Sequence, residues 1–378
     1  MNPQISTDER LARIRLNAFL YFRADWLARL LDIFGSAQEI LKQDAQTLAR
    51  EANLNPSTAT NLLKEAFSIN PQEEWDKTEK LGGHIYLPED EEYPQALRNC
   101  KEAPVAIYVL GNLPSDEQAC VGLVGTRKIT PYGRRVATKL AGDLAQAGVV
   151  VISGLARGID SECHAACVRA QKPTVGVIGT GIGRCYPPEN RALEKAILEH
   201  GGAILSELPF NKPPNAFHFP RRNRLIAALS QPVVVLEGEI KSGALITAKL
   251  ALEQGKDVLA VPGPIDSPQS AGPNSLLTQG AGVVTCVADI LEYIPQAQRF
   301  GLDTRFFEHT AQTPAKPEEE LSSREQQVMH VIADGQLSLD QIALAIEADV
   351  PEAAELLFNL EVKGFLACEN GLYSKNKF

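Results

Sequence analysis

From about residue 80 to residue 296 one pattern repeats: a short, almost wholly apolar run rich in Val and Ile, then an amphipathic helical stretch. The apolar runs are Ala119–Leu123, Val149–Ile152, Thr174–Ile178, Ala203–Leu205, Val233–Leu236, Val258–Val261 and Val283–Thr285. Between them lie helical stretches such as Tyr132–Ala147, Ser161–Gln171, Asn190–His200 and Ala244–Gln254. Strand–helix alternation at this spacing predicts a parallel sheet wound on both faces. The unbroken apolarity of the runs agrees, because strands covered on both faces have no solvent side to make polar. The predicted class is α/β, with a central Rossmann-like doubly wound parallel sheet over residues 79–296.

The flanks read differently. Residues 1–78 carry apolar positions at three- and four-residue spacing (Leu11, Ile14, Leu16, Phe19, Leu20; Trp26, Leu27, Leu30, Leu31), the mark of short helices. Turn signals stand at Phe34-Gly35-Ser36 and Asn53-Leu54-Asn55-Pro56, with Ser57 and Thr58 as expected caps. The segment has the size of a sterile-alpha-motif or helix-hairpin-helix domain, and no basic stripe chooses between DNA and protein as its partner. Residues 297–317 read as a polar, Pro-containing linker. In residues 318–378, Ser322 and Glu325 form a capping box for a helix through Ile332. Helices over Ser338–Ile346 and Pro351–Lys363 and a hairpin from Phe365–Cys368 to Leu372-Tyr373 complete a winged-helix-like pattern. Its recognition helix carries Glu352 and Glu355 where a DNA reader would place Arg, Lys or Asn, so a protein contact is the expected role.

A net charge of −10 over 378 residues argues against nucleic acid only if the acid is spread evenly. It is not: Glu318 to Phe378 hold twelve acidic and four basic residues, which leaves the preceding 317 residues near neutrality. The seven cysteines (100, 120, 163, 167, 185, 286 and 368) form no C-x-x-C pair and mostly sit in apolar stretches, as reduced core thiols do. Cys163 and Cys167 share a helical face, with His164 beside them, but no second cluster at zinc-like spacing accompanies them, so no metal is expected. No apolar run approaches the roughly 18 residues of a membrane span, and the polar, acidic Met1–Arg10 lacks a secretory h-region. The expectation is a soluble, cytoplasmic protein without a membrane span.

In doubly wound sheets, ligands sit beyond the carboxyl ends of the strands. Four polar loops fall there. Val124-Gly125-Thr126-Arg127 offers a small residue, a hydroxyl and a guanidinium fork for phosphate. Ser153-Gly154-Leu155-Ala156-Arg157-Gly158-Ile159-Asp160 reads as an N–H nest entering a helix, with Asp160 as its expected N-cap. Arg157 there has two readings, a ligand contact or a partner for a nearby carboxylate. Gly179-Thr180-Gly181-Ile182-Gly183-Arg184 starts like a dinucleotide fingerprint, but Arg184 replaces its last glycine and the strand position is wrong. There is no G-x-x-x-x-G-K-[ST] segment either, so no nucleotide cofactor is expected. Last, His218-Phe219-Pro220-Arg221-Arg222-Asn223-Arg224 reads as a loop running into a helix. Its three guanidiniums beside Phe217 and Phe219 pair charge with stacking surface, the combination that suits unpaired strands. At least one of these arginines is expected to hold a structural acid such as Glu207 or Glu237, and at least one to face ligand.

Taken together the segments closely resemble the DprA/Smf (DNA processing protein A) family. The resemblance runs from Tyr93-Pro94 through Gly125–Arg127, Ser153–Asp160, His164, Gly179-Thr180-Gly181, Tyr186–Asn190, Ser206-Glu207 and Phe219–Arg224. It continues to Ser242–Ala248, Val261-Pro262-Gly263 and Gly272-Pro273-Asn274. It implies a Rossmann-like homodimer that binds single-stranded DNA and loads the RecA recombinase onto it in natural transformation, with dimer and recombinase contacts on the central domain. Implied contacts lie in Gly125–Arg127 and the Arg-rich segment. The candidate DNA-binding set is Gly125, Thr126, Arg127, Ser153, Gly154, Arg157, Phe219, Arg221, Arg222, Asn223, Arg224 and Ser242. Two departures stand out: Ala216-Phe217-His218 where the family often has Gly-Asn, and Gly238-Glu239-Ile240-Lys241, which adds a carboxylate.

The leading expectation is thus a non-enzymatic single-strand binder, in which replacing Arg127, or Arg222 and Arg224, by Ala weakens binding without unfolding. The alternative is a nucleotide-processing enzyme of the lysine-decarboxylase-like Rossmann group, with Glu207 and Glu237 as its only candidate acid/base pair. That group's Pro-Gly-Gly-x-Gly-Thr segment is absent from the sequence. A transcription factor acting through the winged helix is disfavoured by the acids on its recognition helix.

Overall fold

The computed structural model describes residues 5–100, 102–307, 321–332, 337–362, 365–369 and 371–375. It divides into two compact units, Met1–His309 and Thr310–Phe378. The first begins with helices α1 (Thr7–Leu20), α2 (Ala24–Phe34), α3 (Ala37–Lys42), α4 (Ala45–Glu51), α5 (Pro56–Phe67) and α6 (Pro71–Lys80). Each short helix carries a sequence stop or start. Ser36 and Asp44 accept from the backbone N–H of Glu39 and Thr47 at 3.2 and 2.7 Å. The cap of α5 is not Ser57 or Thr58 but Asn55, whose Oδ1 accepts from Ser57 N at 3.0 Å. Pro56, with no N–H to satisfy and its φ preset, takes the first helical position instead. Leu16, Leu20, Leu30, Ile40, Leu48 and Leu62 form the apolar core of these helices.

The helices are tied to the sheet by buried polar contacts. Asn17 Nδ2 donates to the Glu207 carbonyl at 3.1 Å. The Glu74 carboxylate accepts from Phe210 N at 2.7 Å and from the Tyr108 hydroxyl at 3.2 Å. Burial pushes the Glu74 carboxyl up against those hydrogen bonds, so it is held by donors rather than by a cation.

The sheet comprises β1 (Gly83–Tyr86), β2 (Ile107–Gly111), β3 (Cys120–Val124), β4 (Val150–Ser153), β5 (Thr174–Val177), β6 (Ala203–Ser206), β7 (Val233–Val235), β8 (Val258–Ala260) and β9 (Gly282–Val283), in the order β1-β2-β6-β5-β4-β3-β7-β8-β9. Strands β3 to β9 are parallel. The first two are antiparallel additions on β6. The alternation reading did not give β1 and β2, because only the four-residue α7 (Gln95–Arg98) lies between them and no crossover helix marks the pair. Side chains alternate strictly between two cores. Val121, Leu123, Val151 and Val234 face one, with α8 (Pro131–Gln146) and α9 (Ile159–Arg169). Val124, Val150, Ile152, Val233 and Val235 face the other, with α11 (His218–Leu229) and α12 (Gly243–Glu253). Cys163 and Cys167 fill space in the first core, where burial raises both thiols, Cys167 to about 12. Helix α10 (Arg191–Glu199) precedes β6, and α13 (Ala271–Thr278) and α14 (Val287–Leu291) flank β9.

Strand order runs outward from β3 through β4, β5 and β6, then restarts on the other side of β3 at β7. The crevice between the carboxyl ends of β3 and β7 is therefore the topological switch point, where doubly wound sheets place their ligands.

The second unit holds α15 (Ser323–Val331), β10 (Leu337–Ser338), α16 (Leu339–Ala345), α17 (Val350–Val362), β11 (Leu366–Glu369) and β12 (Leu372–Lys375), its sheet ordered β10-β12-β11. Three helices and a β-wing make a winged helix. The Ser322–Glu325 capping box is present in both directions, at 3.2 and 2.8 Å. Val328, Ile332, Ile342, Leu357 and Leu360 form its core, while Glu352 and Glu355 of α17 are exposed. No helix among the described residues is long and apolar enough to cross a membrane.

Candidate nucleic-acid interface

A cleft of ≈ 630 Å³ opens at the switch point. Its walls are Gly125 to Lys128 after β3, Tyr186 after β5, Phe219, Pro220, Arg222 and Asn223 of α11, and Lys241 and Ser242 ahead of α12. Phe219 is the centre of one wall. The guanidinium carbon of Arg127 lies 5.3 Å from the Phe219 ring centroid. Tyr186 flanks the same ring at 5.5 Å with an interplanar angle of 34°. Gly179 makes room for it, since a Cβ there would meet Phe219 Cδ1 at 2.8 Å. Arg127, Lys128 and Lys241 are exposed around the cleft. None of the three has an ion-pair partner among the described residues.

The Arg-rich segment is not a loop. It forms the first turns of α11, which starts at His218, and the helix sends its arginines in three directions. Arg222 goes under the cleft floor. It is 4% exposed, donates Nη1 to the carbonyls of Gly154, at 2.8 Å, and Val177, and donates Nε to Asn223 Oδ1 at 3.1 Å. Arg224 is buried in an ion pair with Glu207, also buried, so one arginine does hold a sheet carboxylate. Arg221 leaves the cleft altogether. Its Nη1 donates to the Phe22 carbonyl at 3.3 Å. Glu237, the other carboxylate expected to meet an arginine, instead accepts from the Thr130 N–H at 3.1 Å and from its hydroxyl.

The segment from Ser153 to Asp160 also differs from the ligand nest expected of it. Ser153 Oγ is buried and donates to the Leu123 carbonyl at 2.6 Å, inside the sheet. Gly158, with φ +80, occupies the N-cap of α9, and Asp160 is the second residue of the helix. The Asp160 carboxylate turns back and accepts from Ala156 N at 3.4 Å, so the loop's own acid uses the nest. Arg222 and Asp160 face each other across Gly154, where a Cβ would meet both Arg222 Nη2 and Asp160 Oδ2 at 2.6 Å. Gly125 is needed for packing as well, because a Cβ would collide with the Ile159 side chain. Thr126 is buried, its Oγ1 accepting from Lys128 N at 3.0 Å. Arg157 is exposed and paired with Glu189. Asn223 donates to the Gly243 carbonyl at 3.2 Å. Ser242 precedes α12, and its buried Oγ has no hydrogen-bond partner in the structure.

Of the twelve candidate residues, the cleft gathers Gly125, Thr126, Arg127, Phe219, Arg222, Asn223 and Ser242. Gly154 and Arg157 line a smaller pocket sharing Arg127 and Phe219. Ser153, Arg221 and Arg224 lie elsewhere. Lys128, Tyr186 and Lys241 join the cleft from outside the candidate set, Tyr186 from a motif of the family resemblance. The signal was present for Lys128, adjacent to Arg127; Lys241 lay behind the more conspicuous Glu239.

Burial sets the charges beneath the cleft. It lowers the Arg222 guanidinium to about 10 and raises the Asp160 carboxyl to about 6, with Arg222 pulling the latter back down. Burial likewise lifts Glu207 to about 7 against the attraction of Arg224. A carboxyl whose folded value exceeds its unfolded one binds more protons when folded. Its stabilising contribution is complete below the unfolded value and is lost as pH rises through the folded one. For Asp160 that window runs from 3.8 to about 6. Asp160→Asn should therefore flatten the fall in urea midpoint between pH 4 and pH 6.5; an unchanged slope would place the titration elsewhere.

A doubly wound sheet with an arginine-on-aromatic wall at its switch point, and cations there that form no ion pair among the described residues, defines a Rossmann-like protein whose cleft could hold an anionic, stackable ligand. Residues 84–295 match the family model described as DNA recombination-mediator protein A, and residues 312–371 match the DprA winged helix domain. The chain belongs to the DprA/Smf family, and its role is in DNA processing and recombination mediation. It is 37% identical to Protein Smf of Escherichia coli over 298 residues, 77% of each chain. It is 41% identical to DNA processing protein DprA of Bacillus subtilis over 206 residues, 54% of this chain and 69% of the relative. The crystal structure of DprA from Streptococcus pneumoniae superposes with a TM-score of 0.64 at 30% identity, covering 77% of this chain and 99% of that one. DprA from Helicobacter pylori, whose structure is described for its single-stranded DNA binding mode, gives 0.50 at 28% identity over 56% of this chain and 94% of that one.

Proposed function

We propose that the switch-point cleft binds single-stranded DNA and that the chain, as a homodimer through its central domain, loads the RecA recombinase onto that strand during natural transformation. The observation that carries the reading is the exposed Arg127 guanidinium on the Phe219 ring, rimmed by Lys128 and Lys241, none of the three in an ion pair among the described residues, with Glu239 as the carboxylate beside them. Exposed cations around an open cleft suit a phosphate backbone, while the Tyr186–Phe219 pair offers aromatic surface for bases. The Helicobacter pylori relative, described as binding single-stranded DNA, supports the ligand class. The family description supports the mediator role. The exposed acids of α17 suit a protein partner for the winged helix better than a phosphate backbone.

Arg127→Ala is the direct test. The side chain is exposed, so its loss should leave the fold intact. It should weaken binding of an unpaired oligonucleotide by at least about tenfold, given the strength of a charge-assisted phosphate contact. Unchanged affinity by fluorescence anisotropy would remove the cleft from consideration. For the mediator role, the wild-type chain should speed RecA assembly on strands already coated with single-strand-binding protein, and Arg127→Ala should not.

A further inference from the structure

The cleft ends at a rim made by Pro214, Asn215 and Ala216. The next residue, Phe217, is not among the residues that line the cleft. An Asx turn sets its backbone: Phe217 N donates to Asn215 Oδ1 at 3.0 Å and His218 N to the Asn215 carbonyl at 2.9 Å. The ring is 58% exposed. Its neighbours come from the N-terminal helices. The Phe22 ring meets it edge to face at 6.2 Å and 71°. Arg221 lies between the two, its guanidinium carbon 4.8 Å from the Phe217 centroid and 5.7 Å from that of Phe22. Beside them Lys212 Nζ stands 4.8 Å over the Tyr21 ring. Neither Arg221 nor Lys212 has an ion-pair partner among the described residues.

We propose that Phe217, Arg221, Lys212 and Tyr21 form a second nucleotide subsite, built jointly by α11 and the turn between α1 and α2. A base of the strand leaving the cleft stacks on the open face of Phe217, and its phosphate meets Arg221 and Lys212. The proposal rests on the single-strand reading of the cleft and extends it. Charge complementarity and continuity across the Pro214–Ala216 rim both select an unpaired polynucleotide as the occupant. It also gives the N-terminal helices a direct part in the nucleic-acid surface, although their sequence carries no basic stripe. The cations come from α11 and the Lys212 loop, and the helices contribute the rings.

The test is a binding series with oligothymidylates of increasing length, read by anisotropy on the full chain. Wild type should gain affinity in two stages as the strand first fills the cleft and then crosses the rim. Phe217→Ala should bind the shortest oligomers as wild type does but miss the second stage, ending about tenfold weaker on long strands, as loss of one stacked base predicts. Phe217→Trp should restore the second stage. Arg127→Ala should weaken every length. If Phe217→Ala binds long strands as wild type does while Arg127→Ala is weakened, the second subsite is wrong and the cleft reading stands. If Arg127→Ala is unaffected at all lengths, the cleft reading itself fails. A loss in Phe217→Ala that is equal at all lengths, or one that Trp does not restore, would mean that the ring only braces α11 against Phe22, and would overturn the proposal.

Discussion

Arg222→Ala should destabilise the first unit by about 3–5 kcal/mol, the range seen when one partner of a buried charged pair is removed. Three separate losses add up there. The buried carbonyls of Gly154 and Val177 lose their donor, and each unsatisfied buried group costs about 1–3 kcal/mol. Asp160 is left buried without the cation that offsets its desolvation. The space of a full arginine side chain opens between β4, β5 and α11. Urea denaturation followed by fluorescence or circular dichroism checks this. A midpoint equal to wild type would mean that Arg222 is free to leave the floor and act as a ligand group. This differs from what the sequence alone leads one to expect, namely that Arg222 and Arg224 could be replaced with loss of binding only.

Glu207→Ala should have a similar effect, about 3–5 kcal/mol, because Arg224, at 6% side-chain exposure, would keep only the half-exposed Glu102 carboxylate. Its Nε and Nη1 already lack hydrogen-bond partners, so the ion pair with Glu207 is the main compensation for its burial. Glu102 Oε2, 3.6 Å from Nε and half exposed, is too distant and too well solvated to replace it. Replacing both residues, as Glu207→Ala with Arg224→Met, should recover most of the loss, since an apolar pair leaves no charge stranded. A double-mutant cycle in urea gives the coupling directly. Additive single-mutant effects would show that the two side chains do not depend on each other.

These two arginines mark the limit of what the sequence made legible. The parallel sheet was readable because each of its strands is an apolar run and each crossover an amphipathic helix. The capping box at Ser322 and Glu325 was readable because it is local. The antiparallel pair β1–β2 was not, since its pairing depends on partners remote in sequence and no crossover helix announces it. At the site, Arg127 and Phe219 could be picked out because an exposed loop cation and an aromatic beside a basic run are strong signals. Which of Arg221, Arg222 and Arg224 faces outward depends on the phase of α11. Once the segment is helical, each residue turns the direction by about 100°, so Arg221, Arg222 and Arg224 diverge and only the sheet beneath decides which is buried. Reading the segment as a loop hid that rotation. The same holds for Asp160, which looked like a cap because the start of α9 had been placed too late.

In the function proposed above, the Arg127–Phe219 cleft grips unpaired DNA through its phosphates and bases together. Titrating unpaired and duplex oligonucleotides of equal length against wild type and Arg127→Ala, each at two salt concentrations, tests it most directly. Wild type should prefer the unpaired strand and lose affinity as salt rises. Arg127→Ala should bind more weakly, with a salt slope shallower by about one. Equal affinity for duplex, or a salt slope unchanged by the loss of Arg127, would contradict it.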